Sequence, residues 1–219
     1  MDRDYQVHNL FSKVFYQTSL EYNKEQLDLW INHLQKEFTL SSYGYYVNDQ
    51  KDNTELFSES SLRKDILEDK IFLNLKKNIM KEFNYFKNKY LQYVNNDFVI
   101  TRSWISKVKK GQTSFYHNHN NCMFSGIYYL KTDNKSGFIN FENFNDKRFF
   151  LKPNSYNKHN ANDFTFSTHD NLLLFFPSEC HHRILRHDSD FTRYSIAFNL
   201  MPTGELGGSK SDSYCNIHV

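Results

Sequence analysis

The sequence is poor in cysteine, proline and glycine. Its 219 residues include 3 Cys, 3 Pro and 7 Gly, a composition that excludes collagen-like and proline-rich low-complexity chains. The three cysteines, Cys122, Cys180 and Cys215, are widely spaced and form no Cys-x-x-Cys pair. They predict neither a disulfide framework nor a zinc ribbon. The longest strongly apolar run, residues 172–176, is far too short to span a membrane.

Charge of one sign is also lacking. Lys and Arg number 27 against 25 Asp and Glu, which gives a net charge of +2. This balance predicts no nucleic-acid partner and no membrane partner. The start of the chain has no basic stretch followed by an apolar one, so we expect a cytoplasmic protein. Aromatic residues make up 17% of the chain, and they favour a single folded domain with an aromatic-rich core.

The first half of the chain predicts helices. Apolar residues recur every three or four positions over residues 23–38, as in an amphipathic helix, and again over residues 61–94 without Gly or Pro. We interpret residues 1–97 as a helical support segment.

The second half predicts strands. Short segments rich in β-branched and aromatic residues alternate with turns, which is typical of a sandwich or barrel such as a jelly roll. The fold class is thus α+β, with an all-β core at residues 98–200 and a mobile tail at residues 201–219, in one structural domain. The polar stretch 145–163 is a candidate lid over the barrel. The predicted strands are 98–108, 114–119, 124–130, 138–144, 171–176, 182–185 and 194–200.

Histidines in the second half form a candidate metal site. His117 and His119 are two apart in a strand-like run, so their side chains point to one face and can bind one ion. His182 lies between two predicted strands, and a barrel could bring it beside that pair. Imidazole suits iron, zinc and copper. In a chain with 10 His, however, the pair could also simply cap a strand or bond a carbonyl.

A candidate anion site follows on the last predicted strand. Arg193 and Ser195 share a face of that strand. A guanidinium beside a hydroxyl can bind a carboxylate with a bidentate geometry that Lys cannot reproduce. The alternative is an ordinary surface arginine.

Six ordered motifs together resemble the iron(II)- and 2-oxoglutarate-dependent oxygenases, within them a group of small bacterial and phage proteins. The resemblance covers about half of the chain. It implies a double-stranded β-helix, or jelly roll. The motifs are Trp104, His117-x-His119, Ser125-Gly-Ile-Tyr-Tyr-Leu130, Gly137-x-Ile-x-Phe141, Phe176-Pro-Ser178 with His182, and Arg193-x-Ser-Ile-x-Phe-Asn199.

The resemblance also implies the chemistry. Iron(II), 2-oxoglutarate and dioxygen are the expected cofactor and cosubstrates, with 2-oxoglutarate converted to succinate while a substrate is hydroxylated. His117 and His182 are the implied metal ligands. His119 stands where the wider superfamily has a carboxylate, so it is expected to be the third ligand, the alternative being a group that supports the ligands without binding the metal. No other catalytic residue is implied. The residues expected to bind the cosubstrate are Arg193, Ser195, Tyr128 and Asn121. The substrate is expected to be a peptide side chain or a small molecule, in the cytoplasm of a host cell if the gene belongs to a phage.

Two other enzyme classes stay open. A cupin-type enzyme matches Gly111 followed by His117-x-His119, but Met123 and Phe124 stand where its glutamate is expected. A three-histidine zinc enzyme also suits the metal ligands, although Arg193 would then have no carboxylate to bind.

Overall fold

A computed structural model describes residues 11–35, 56–93, 95–143, 151–157 and 159–218. The first α-helix, α1 (Lys24–Leu34), begins after Asn23, whose side chain accepts a hydrogen bond from the Gln26 backbone N–H at 2.9 Å. This bond satisfies one of the free donors of the first turn. The predicted apolar stripe is buried, as expected for an amphipathic helix. Residues 36–38 of the prediction lie outside the described residues.

The second predicted helix is divided. Two 3₁₀ turns, Ile66–Glu68 and Lys70–Phe72, precede α2 (Leu73–Phe86), and a π-helical turn, Lys87–Leu91, follows it. The α2 stripe of Leu75, Ile79, Phe83 and Phe86 is buried, as the periodicity predicts. No helix in these described ranges is long and apolar enough to cross a membrane.

Ten strands of the described chain form two antiparallel sheets. The larger sheet has seven strands in the order β1-β7-β4-β9-β3-β2, with β10 paired to β9, and the smaller has the order β6-β5-β8. This mostly antiparallel double layer agrees with the predicted jelly roll. The strands are β1 (Tyr16–Ser19), β2 (Glu59–Ser60), β3 (Asp97–Val108), β4 (Phe124–Lys131), β5 (Ile139–Glu142), β6 (Asp163–Phe166), β7 (Leu172–Pro177), β8 (His182–Ile184), β9 (Arg193–Leu206) and β10 (Cys215–Ile217).

The larger sheet buries both of its faces. Tyr128 and Leu130 of β4 belong to the core shared with both helices, whereas Ile127 and Tyr129 belong to a second core shared with the smaller sheet. Successive side chains of a strand point to opposite faces, so one strand serves two cores. The helices therefore cover the outer face and leave the inner face to a cavity between the sheets.

Three parts of the chain differ from the predictions. Residues 114–119 form no strand, and only an isolated bridge joins His117 to His182. The expected tail continues β9 to Leu206 and returns as β10, and Gly207, directly after β9, has a φ of +75° that other residues rarely adopt. Short β1 lies in a region predicted to be a support segment. Residues 145–150 and 158 of the candidate lid lie outside the described residues.

Candidate metal centre

The three predicted histidines lie together. One ring nitrogen from each of His117, His119 and His182 lies within 4.8 Å of the others. Backbone pairing fixes two of them, because the His117 N–H donates to the His182 carbonyl at 3.0 Å and the reverse bond measures 2.8 Å. The His119 N–H donates to the Ser178 carbonyl at 2.9 Å. The local backbone therefore sets the spacing of all three residues.

Hydrogen bonds orient each imidazole. Nδ1 of His117 lies 2.9 Å from the Phe115 carbonyl, and Nδ1 of His182 lies 2.9 Å from the Cys180 carbonyl. A carbonyl oxygen can only accept, so both Nδ1 atoms carry the proton and both Nε2 atoms keep a lone pair. Metal-binding histidines are commonly fixed in this way.

The third imidazole is held by side chains. Nδ1 of His119 lies 2.7 Å from Ser125 Oγ and 2.9 Å from Asn199 Oδ1. The Ser125 hydroxyl donates to Asn199 Oδ1 at 2.9 Å and lies 2.9 Å from the Ser178 hydroxyl. With the amide oxygen facing the ring, His119 also donates through Nδ1 and presents Nε2.

The three rings are neutral near pH 7. Burial lowers the pKa of His119 to about 4, with a further contribution from His117. Burial also lowers the pKa of His117, and it lowers the pKa of His182 well below its usual value, to which the two neighbouring imidazoles add. Neutral imidazoles with fixed tautomers are the form that binds a divalent metal ion. The site therefore fits such an ion.

A cavity of about 500 Å³, its open mouth included, adjoins the histidines. Its lining also includes Arg193 and Ser195, which point to the same face of β9. Arg193 is 1% exposed, and its Nη1 lies 3.5 Å from Ser195 Oγ. Its Nε has no hydrogen-bond partner among the described residues, and burial lowers the pKa of the guanidinium. A buried cation thus faces the cavity without an anion.

Tyr129, rather than Tyr128, lies beside this cation. The Arg193 guanidinium carbon lies 4.8 Å from the centre of the Tyr129 ring, and the Tyr129 hydroxyl is buried with no hydrogen-bond partner in the described part of the chain. Tyr128 points to the helix side, where its hydroxyl donates to Asn171 Oδ1 at 2.5 Å. The expectation for Tyr128 is therefore wrong, because strand alternation sends it to the opposite face.

Asn121 also lies apart from the cavity. It is exposed in a turn at φ +58° and is not among the cavity-lining residues. This geometry indicates that Asn121 belongs to an ordinary turn and does not support a binding role.

A family model described as "Putative 2OG-Fe(II) oxygenase" matches residues 102–199, the stretch that contains every residue of this site. Residues 102–199 therefore resemble the 2OG-Fe(II) oxygenases. The predicted family and enzyme class are thereby confirmed, and iron(II) and 2-oxoglutarate are the cofactor and cosubstrate for which these oxygenases are named. No curated protein matches the chain.

Solved structures support the fold of the oxygenase. A prolyl-4-hydroxylase from Pseudomonas putida is 12% identical at a TM-score of 0.55, covering 87% of this chain and 94% of that one. HygX from Streptomyces hygroscopicus, bound to nickel, 2-oxoglutarate and hygromycin B, is 11% identical at a TM-score of 0.57. The match covers 86% of this chain and 83% of HygX. A prolyl hydroxylase from Trichoplax adhaerens is 13% identical at a TM-score of 0.57, and the match covers 85% of this chain and 83% of that one. It is in complex with a peptide fragment of the hypoxia-inducible-factor oxygen degradation domain. At such low identities these likenesses show the fold alone, a double-stranded β-helix as predicted.

Sequence reasoning missed several residues of the site. Ser125 and Asn199 were quoted only as parts of motifs, although they hold the His119 ring. No signal in the sequence linked them, because the pairing of Ser125 with Asn199 across β4 and β9 is known only from the structure. Tyr129 was missed because two adjacent tyrosines leave the strand phase undetermined.

Proposed function

We propose that the chain is an Fe(II)- and 2-oxoglutarate-dependent dioxygenase that couples conversion of 2-oxoglutarate to succinate with hydroxylation of a substrate. One observation carries this proposal: the buried Arg193 faces the same cavity as three convergent imidazoles and pairs with no carboxylate among the described residues. A buried charge without a partner is costly. A carboxylate-bearing cosubstrate would supply that partner.

The proposed metal ligands are Nε2 of His117, His119 and His182. Bound iron(II) would supply the site at which dioxygen is activated as 2-oxoglutarate loses carbon dioxide. Since all three ligands are neutral, they leave the full charge of the cation in place, which favours a dianionic cosubstrate. The hydrogen bonds at Nδ1 hold the rings in their ligating orientation before any ion arrives.

Arg193, Ser195 and Tyr129 are the proposed residues for the distal carboxylate of the cosubstrate. The guanidinium offers a planar fork that matches a carboxylate, and the Ser195 hydroxyl lies beside it. The Tyr129 hydroxyl is buried without a hydrogen-bond partner among the described residues, and burial raises its pKa, so it remains a donor at neutral pH. Apolar side chains, including Ile127 and Ile139, line the cavity and limit water near the reacting groups.

The two alternative enzyme classes fit less well. A three-histidine zinc enzyme that ignores 2-oxoglutarate leaves the buried guanidinium without a purpose. A cupin-type site needs a carboxylate near residues 123–124, but Phe124 is packed in the helix-side core and Met123 is exposed. Both observations favour the oxygenase.

The proposed substrate is a peptide side chain. Support comes from prolyl hydroxylases among the similar structures, one of which is in complex with a peptide fragment. HygX, with its bound hygromycin B, makes a small molecule the second candidate. The cytoplasm is the proposed location, on the composition and charge of the chain.

An anaerobic titration tests the proposal. Ferrous ion alone should bind at one ion per chain, and adding 2-oxoglutarate should produce a visible absorption band that neither component gives alone. His182→Ala should abolish iron binding, because His182 supplies one of only three ligands. His181→Ala, the matched control next to it, should bind iron normally. Normal iron stoichiometry in His182→Ala, or a wild-type protein that ignores 2-oxoglutarate, would contradict the proposal.

A further inference from the structure

The inner face of β3 leads from the anion end of the cavity to its metal end. Along this face, Ser106, Trp104 and Arg102 pair with Ser195, Ala197 and Asn199 of β9, respectively. Ser106 and Trp104 line the cavity. Arg102 comes next in the same direction, at the level of the amide that holds His119. It is exposed, so it lies on the rim of the cavity on the metal side.

A second cation reaches the same rim. Lys64 Nζ donates to Ser60 Oγ at 3.0 Å and to the Ser61 carbonyl at 2.8 Å. It lies 5.7 Å from the centre of the Trp104 ring, which in turn lies 5.2 Å from the His119 ring. Since Ser60 and Trp104 both line the cavity, the ammonium group stands beside the path to the metal ligands.

These two cations differ from their neighbours because no carboxylate balances them. Lys107 and Lys109, farther along the strand, both pair with Glu59, at 3.3 and 2.6 Å. Within the described ranges, neither Lys64 nor Arg102 forms an ion pair with an acidic side chain. Lys64 is also half-buried, and both burial and the nearby charge of Arg102 lower its pKa. Two like charges at one rim would gain from a shared anion.

We propose that Lys64 and Arg102 bind a carboxylate of the substrate and place the group beside it over the metal site. This inference rests on the proposed function and adds the chemical class of the substrate. Trp104 provides an apolar surface between the two cations and the histidines, against which the carbon skeleton of the substrate can pack. The substrate is accordingly acidic, as either an acidic peptide or a small carboxylic acid.

Binding to the full chain, loaded with ferrous ion and 2-oxoglutarate under argon, tests the proposal. The probes are a fluorescent Ala-Glu decapeptide, its Ala-Gln counterpart, and N-acetylglutamate α-amide as a competitor with one carboxylate. Fluorescence anisotropy should show tighter binding of the Glu peptide by about tenfold or more at low salt, with a loss of this preference as salt screens the charges. Displacement by the competitor would identify a small acid as sufficient, and no displacement would favour a peptide; both results support carboxylate binding.

Charge-removing variants locate the site. Lys64→Gln and Arg102→Gln should each lower the affinity for the Glu peptide by about three- to tenfold. Neither variant should change the affinity for 2-oxoglutarate. Lys81→Gln removes the same charge from the exposed face of α2 and should have no effect. Equal affinity for the two peptides would overturn the proposal, as would a rim variant that weakens 2-oxoglutarate instead of the peptide. Failure of the proposed function would appear separately, as a wild-type chain that does not respond to iron and 2-oxoglutarate.

Discussion

Replacing Arg193 by methionine should stabilise the cosubstrate-free protein and abolish its response to 2-oxoglutarate. Arg193 is the largest buried charged side chain among the described residues, where its guanidinium lies 3.5 Å from Ser195 Oγ and 4.8 Å from the centre of the Tyr129 ring. A structural arginine would be tied by several strong hydrogen bonds, and its loss would destabilise the fold. An arginine that waits for an anion costs stability until the anion binds.

The expected magnitudes follow from these contacts. Desolvating an uncompensated ion costs several kcal/mol, of which the Tyr129 contact returns about 2 kcal/mol. Methionine has a similar length and no charge, so we expect a gain of about 1–3 kcal/mol. For a chain of this size, that is a rise in Tm of about 2–8 °C. Loss of the charged partner should weaken the binding of 2-oxoglutarate by about 3–5 kcal/mol, which is a loss of affinity of roughly 100- to 1000-fold or more.

Thermal unfolding with and without 2-oxoglutarate measures both effects in one experiment. The wild-type Tm should rise with 2-oxoglutarate concentration in the presence of a divalent metal, because a ligand that binds only the folded state stabilises it. The Arg193→Met protein should start at a higher Tm and show no such rise. Arg193→Lys keeps the charge without the fork and should show a weaker rise. A Tm that falls in Arg193→Met, or one that still responds fully to 2-oxoglutarate, would refute the reasoning.

Three further predictions concern the supports of the site. Asn199→Ala removes one acceptor from the His119 ring and should weaken the binding of ferrous ion by about 10- to 100-fold. Asn199→Asp keeps an acceptor and should preserve binding, as measured by competition with a chelating dye. Equal losses of affinity in both variants would contradict the role of the amide oxygen. Gly126→Ala should destabilise the fold by about 2 kcal/mol in urea unfolding, because an added Cβ would lie 2.3 Å from the Phe198 ring. Gly208 has open space around it, so Gly208→Ala serves as the control. The metal-free protein should lose stability as the pH falls from about 6.5 to about 4. The pKa values of the clustered imidazoles are lower in the folded state than in the unfolded chain, so the unfolded chain binds more protons in that window. An unfolding free energy that does not change over this range would contradict the burial of the three histidines as neutral rings.

The sequence allowed prediction of what depends on pattern. Residues 117, 119 and 182 were predicted as a cluster because the motifs occur in a fixed order, and the structure brings them within 4.8 Å. Arg193 and Ser195 were placed on one face by strand alternation, and they do line one cavity. The apolar stripes of α1 and α2 likewise matched their buried faces.

Features that depend on pairing between distant strands could not be predicted in the same way. The Tyr128–Tyr129 pair shows why: alternation assigns the two rings to opposite faces, but only the pairing of β4 with β7 and β9 decides which face holds the cavity. The segment around His117 looked like a strand, yet in the described chain it makes only an isolated bridge to His182 and single backbone bonds from Ser114 to Ile184 and from His119 to Ser178. The glycine-containing end of the chain looked mobile, although Cys215 pairs with Leu206 across a hairpin.

The reciprocal main-chain bonds between His117 and His182 have a consequence for how the protein meets its ion. In a small zinc finger the ion organises the polypeptide, and removing it unravels the domain. Here two of the proposed ligands are joined to each other through the backbone, and the sheets behind them form a core of their own. The metal-free protein should therefore keep its fold, so an ion lost to a chelator can be replaced without the chain having to refold.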